Sequence, residues 1–98
     1  MTTIESTTSF CVKRLKALAE PRRLSIIKIL MDGPKRVWEL NGVLDIEQSL
    51  LSHHLKILRK ECLVKATRDG KANLYSLTQE VKKSHNAINI GCCQISFD

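Results

Sequence analysis

Residues 47–62 constrain the fold of this chain more than any other stretch. Set at about 100° per residue, Gln48, Ser49, Ser52, His53, Lys56, Arg59 and Lys60 fill one continuous polar arc. Leu50, Leu51, His54, Leu55, Ile57, Leu58 and Cys62 fill the opposite arc, which only Glu61 interrupts. This split describes a helix lying on a core. Its apolar side anchors it, and its outer side is a row of hydrogen-bond donors and cations with no carboxylate among them. Most polar helix faces are merely solvated, so the rest of the chain has to decide what this one does.

The charge balance narrows the choice. Sixteen Lys and Arg against ten Asp and Glu give a net charge of +6 and a pI near 9.4. On a body of 98 residues that field attracts phosphate backbones or anionic lipid. The length suits one domain with a small core. An apolar share of 43% is too high for a disordered chain. No run approaches the roughly 18–20 apolar residues of a membrane span, and Met1-Thr2-Thr3-Ile4-Glu5 lacks the basic start and apolar run of a secretory signal. A cytoplasmic protein without a membrane partner is therefore expected. In that compartment Cys11, Cys62, Cys92 and Cys93 are expected as free thiols, ligands or redox groups rather than structural staples. Their spacing contains no Cys-x-x-Cys, which argues against a zinc ribbon or a thioredoxin-type site.

Punctuation along the chain supplies the remaining elements. Residues 1–8 are polar and predict a flexible N-terminal arm, followed by a single domain over 9–98. A helix fits from Ser9 to Ala19, with Phe10, Cys11, Leu15 and Leu18 on one side. Pro21 opens a second helix carrying Leu24, Ile27, Leu30 and Met31, and Asp32-Gly33-Pro34 stops it. An extended piece at Lys35-Arg36-Val37 leads to a brief helix over Trp38–Leu44. After the amphipathic helix, two strands flank Asp69-Gly70, a strong hairpin signal because type I′ turns need positive φ. Arg68 and Lys71 border its tip. A last helix is predicted from Thr78 towards Ile90, ended by Gly91 and followed by a cysteine-containing tail.

The predicted class is α+β and mostly helical, with about five helices and a two-stranded wing: a winged helix-turn-helix. A helix of this length fits the major groove and a basic hairpin reaches neighbouring phosphates. Gln48 can pair bidentately with adenine, and Ser49, Ser52 and His53 can reach base edges or phosphates. Lys56, Arg59 and Lys60, with Arg68 and Lys71 of the wing, suit backbone oxygens.

Three phrases carry a family resemblance. Leu15-Lys16-Ala17-Leu18-Ala19-Glu20-Pro21-Arg22-Arg23-Leu24 resembles the opening signature of the ArsR/SmtB family of bacterial transcriptional repressors. Gln48-Ser49-Leu50-Leu51-Ser52-His53-His54-Leu55-Lys56-Ile57-Leu58 is similar to that family's recognition helix, and Asp69–Leu77 to its wing. The resemblance runs over residues 9–80 in one register. It implies a homodimer formed by the first and last helices, bound to an inverted-repeat operator in double-stranded DNA and released by an effector. Two positions depart from the family pattern. Leu50 replaces a small polar residue, and Cys62 replaces the glycine that closes the recognition helix in a left-handed conformation.

The family's metal sites are not matched. Arg36-Val37-Trp38-Glu39-Leu40 aligns with the Cys-Val-Cys-Asp-Leu box of arsenic and cadmium sensors, and Arg and Trp stand at its thiol positions. His85 stands alone where zinc sensors carry a full ligand set, and reads as a solvated helix residue. Thiol chemistry remains. Adjacent Cys92 and Cys93 can close a vicinal disulfide under oxidant, or hold a thiophilic As(III) ion with Cys11 as a third sulfur. Both readings stay open, beside the bland one that the tail cysteines only pack. Cys62 and His54, on the apolar arc, read as core residues, the histidine hydrogen-bonded within the domain. An enzyme is disfavoured, because no histidine base is placed near a thiol and no glycine loop can cradle phosphate. A protein-interaction module that keeps this fold without binding DNA is the rival of another class.

Overall fold

The computed structural model describes residues 3–97. Helix α1 spans Thr3–Leu18, α2 Pro21–Leu30, α3 Val37–Leu44 and α4 Gln48–Lys60. Strand β1 is Lys35–Arg36, β2 Val64–Asp69, β3 Ala72–Leu77, β4 Ala87–Asn89 and β5 Gln94–Ser96. β1, β3 and β2 form one antiparallel sheet in that order, and β4 pairs with β5 in a second. The winged helix-turn-helix order is thus present, with the extended piece before α3 recruited as a third strand against the wing.

Local chemistry explains the helix boundaries. Pro21 is the first residue of α2, where its missing N–H costs nothing. The Glu20 carboxylate caps that helix by accepting from the Arg23 N–H at 2.9 Å. Between α3 and α4, Asp45 adopts a left-handed conformation (φ 50°), and Asn41 Oδ1 accepts from the Ile46 N–H at 2.9 Å. These two residues fix the turn between α3 and α4, both of which pack on α2. Leu40, Leu51, Leu55 and Leu58 are buried against Ile26, Ile27 and Leu30 of α2. Each such leucine is worth about 1.5–3 kcal/mol of burial.

Several expectations are corrected. The arm expected over residues 1–8 is helical from Thr3 on, while Met1 and Thr2 lie outside the described residues. Once a helix is nucleated and held by packing, each further residue adds a hydrogen bond at little cost. The same helix is rotated from its expected phase: Cys11, Arg14, Ala17 and Leu18 face inward, while Phe10 and Leu15 are exposed. The largest difference lies at the end. No fifth helix forms among the described residues, so a dimer built on first and last helices loses one of its elements. Thr78 turns its hydroxyl back to donate to the Cys62 carbonyl at 2.8 Å, and a single turn follows. The Ser84 hydroxyl then donates to Asn86 Oδ1 and accepts from the Asn86 N–H, a turn chemistry that competes with a helix. Ile88 and Ile90 bury in the extended segment beyond, and Gly91 (φ 105°) occupies the bend between β4 and β5 rather than a helix end.

Candidate nucleic-acid interface and thiol pair

Helix α4 presents its polar arc as the periodicity requires. Gln48, Ser49, Ser52, His53, Lys56, Arg59 and Lys60 are all exposed, while Leu51, His54, Leu55 and Leu58 are buried. Leu50, one of the two departures, is half-buried at the edge of the arc. Ser49 donates its hydroxyl to Glu47 Oε1 at 2.7 Å, so one carboxylate sits just before the helix start. Favourable for the helix dipole, it is unfavourable for an approaching phosphate.

The wing extends the same surface. β2 and β3 pair from Val64–Leu77 out to Asp69–Ala72, and Gly70 takes the positive φ (67°) that the tip demands. Arg68 and Lys71 are exposed beside it. Asp69 forms an ion pair with Arg36, whose own N–H donates to Glu39 Oε1 at 3.0 Å. Arg36 therefore ties the wing tip to the start of α3, and leaves the wing's basic residues without a free acid beside them. The Arg36/Glu39 spacing of three residues is the one sequence signal that marks this clamp.

Two arginines behind α4 hold it in place. Arg23 donates from Nε to the Ala17 carbonyl at 2.6 Å and from Nη1 to His54 Nδ1 at 3.2 Å. That contact leaves the His54 proton on Nε2, which lies 3.8 Å from Glu20 Oε2 and is buried without a hydrogen-bond partner. Burial pushes His54 below the ordinary 6.5, Glu20 pulls it back, and the neighbouring arginines lower it further. Burial raises the Glu20 carboxyl, but the Arg23 N–H bond, the charge His54 gains once protonated at low pH, the Arg22 N–H bond and the Arg23 charge outweigh it and leave the group below its ordinary 4.5. His54 is thus the packed, hydrogen-bonded residue the sequence suggested.

Arg14 is the residue sequence reasoning missed. Only 5% exposed, it donates from Nε to the Glu61 carbonyl at 3.1 Å and from Nη1 to the Ile90 carbonyl at 3.2 Å. One guanidinium thus joins the end of α4 to the end of β4. Its spacing of three from Cys11 places both on one helix face, a signal available only once the phase of α1 is known.

The cysteines pair differently from expectation. Cys11 and Cys92 form a disulfide across 81 residues of sequence, so the vicinal Cys92–Cys93 bond is not the one formed. Cys93 stays free and exposed, its sulfur 3.9 Å from that of Cys92. Helix α1 and the β4–β5 bend meet in space, with Phe10 stacked over Gly91, and that proximity outweighs adjacency in sequence. Cys62 is exposed, not core, and keeps the left-handed conformation (φ 57°) that a glycine would adopt there. His85 is exposed in the turn before β4 rather than on a helix. Among the described residues no group of three His, Cys, Asp or Glu side chains is placed to hold a metal ion. No helix of the described chain is long and apolar enough to cross a membrane.

Comparison with known proteins agrees with this geometry. Residues 20–66 match the bacterial regulatory protein arsR family. The chain is 36% identical over 92 residues to the transcriptional activator HlyU of Vibrio cholerae, covering 93% of this chain and 85% of that protein. Its fold superposes on reduced HlyU of the same organism with a TM-score of 0.75 at 37% identity, over 84% of this chain and 87% of the other. The transcriptional repressor BigR from Xylella fastidiosa gives a TM-score of 0.70 at 33% identity, over 78% and 75% of the two chains. A homodimeric winged helix-turn-helix DNA-binding domain from Mycobacterium bovis, Mb0332, gives 0.71 at 26%, over 79% and 72%. With an exposed cationic helix, a basic wing and these relatives, the chain belongs to the ArsR family of DNA-binding transcriptional regulators and is not an enzyme.

Proposed function

We propose that this regulator binds an inverted-repeat operator as a homodimer and leaves it when Cys11 and Cys92 are oxidised. The observation that carries the DNA contact is the uniform exposure of the seven polar residues of α4, with no carboxylate among them. Gln48, Ser49, Ser52 and His53 face base edges, while Lys56, Arg59, Lys60, Arg68 and Lys71 take phosphates. Self-association through α1 fits its exposed Phe10, Val12 and Leu15, and a homodimeric relative supports it. A cytoplasmic setting follows from the DNA target.

The signal step is balanced by a peroxide. Two thiols lose two electrons and two protons, a sulfur–sulfur bond forms, and the peroxide O–O bond breaks to give two waters. Arg14 carries the change to α4, because it holds the strand end beside Cys92 and the last turn of the recognition helix together. The short Cys92–Cys93 separation keeps As(III) capture by Cys11, Cys92 and Cys93 as a second reading, for a chain whose disulfide is open.

Fluorescence anisotropy with a duplex enriched from a random pool tests both. The reduced chain binds with affinity that falls steeply as salt rises. Peroxide weakens binding at least tenfold, and Cys92→Ser abolishes that response. Release by peroxide from the Cys92→Ser variant sinks the disulfide reading, and release by arsenite alone selects the metalloid one. Lys56→Ala weakens all sequences alike, whereas Gln48→Ala relaxes preference at one base position. Weak binding without salt dependence points to an interaction module instead.

A further inference from the structure

The chain's one tryptophan stands on the surface. Trp38, the second residue of α3, is 70% exposed, and Val43 on the same helix is 68% exposed. Burying an aromatic ring is among the larger apolar gains available to a protein, so an indole left in water beside a functional face asks for an occupant. The surroundings say which one. Trp38 lines an open cleft of about 460 Å³ with Val37, Asn41, Gly42 and Gln48. Gln48 is the first residue of α4 and the head of the polar arc. Whatever lies against that arc also covers the cleft. No acid lines it, and in this motif the helix preceding the recognition helix crosses the nucleic-acid backbone.

Only one major-groove group is apolar, the C5 methyl of thymine. We propose that Trp38 is a specificity-determining residue of the interface, its ring packing on a thymine methyl next to the base pair that Gln48 reads. The indole N–H then faces the adjoining phosphate as a donor, the one polar role that side chain has. This contact rests on the DNA-binding reading above, and adds an apolar determinant to an interface otherwise made of amides, hydroxyls and cations.

Replacing thymine by deoxyuridine removes that methyl and nothing else, which makes the contact separable from binding itself. In the enriched duplex, thymines are exchanged for deoxyuridine one position at a time and affinities measured by anisotropy. One position per half-site costs the reduced wild-type chain about threefold to tenfold. In Trp38→Ala that penalty vanishes, while the salt slope and the melting temperature stay as in wild type. Emission of Trp38 becomes less accessible to acrylamide on the duplex. Should the deoxyuridine penalty persist in Trp38→Ala, or acrylamide access stay unchanged on a saturated duplex, the assignment to Trp38 is overturned and DNA binding stands. Protection of Trp38 that rises with protein concentration in the absence of DNA overturns it too, in favour of a second copy on the cleft. A wild-type chain that binds no duplex in a salt-dependent way overturns the underlying reading instead.

Discussion

Helix α4 and the segment after Thr78 both carry apolar residues that a helix could gather on one face, yet only the first is a helix. In α4 the apolar positions recur at helical spacing for three turns, and the burial of Leu51, His54, Leu55 and Leu58 follows that spacing. After Thr78 the apolar residues are too few to choose a period. Val81, Ala87, Ile88 and Ile90 bury equally well in a turn followed by a strand. Periodicity is decisive where one face is continuous, and is overridden by tertiary contacts where it is not. Here the contacts are the Cys11–Cys92 bond, the Arg14 bridge and Phe10 over Gly91.

That contrast can be broken from either side. The largest effect is expected from Leu58→Ala, which empties a fully buried site in α4 and should cost about 3–4 kcal/mol in denaturant unfolding. A loss below about 1 kcal/mol would show that α4 is not the element on which the core depends. Opening the disulfide, by reductant or Cys92→Ser, should cost about 2–4 kcal/mol, since it closes a long loop. Hydrogen exchange should then show the β4–β5 amides exposed first, with those of α4 still protected. Equal loss of protection in both would erase the distinction.

A smaller effect comes from acid. His54 is neutral and lowered in the fold, so its contribution is present above about 6.5 and is lost as pH falls through its folded value. Glu20 acts in the same direction further down, below its ordinary 4.5. The melting temperature should therefore fall on acidification below pH 6.5, and a His54→Gln variant should flatten the upper part of that fall. The smallest is a gain. Cys62→Gly relieves a left-handed residue at the end of α4 and should add about 0.5–1 kcal/mol, read as a higher unfolding midpoint.

Most of the exposed cationic surface is legible in the amino acids. The arc of α4, the Asp69-Gly70 tip and Pro21 at a helix start each rest on local chemistry that needs no partner. The thiol pair was not legible. Adjacency suggested Cys92 with Cys93, whereas the bond depends on where α1 lies against a hairpin that periodicity did not reveal. The clamp of Arg36 on Asp69 and the bridge of Arg14 are equally non-local, joining residues 33, 47 and 76 positions apart. In the sequence Trp38 reads only as a residue at a lost thiol position, because exposure is a property of the folded surface.

The Cys11–Cys92 link closes a ring that holds α2, α3, α4 and the wing, and leaves the first half of α1 and β5 outside it. Such a ring cannot be drawn out from its ends. Tension applied on either side of the link would leave residues 11–92 unextended, and an unfolding machine that threads polypeptide would meet a loop rather than a strand. With the disulfide closed, α2, α3, α4 and the wing would therefore be held as one looped unit, and opening that single bond would free them to extend.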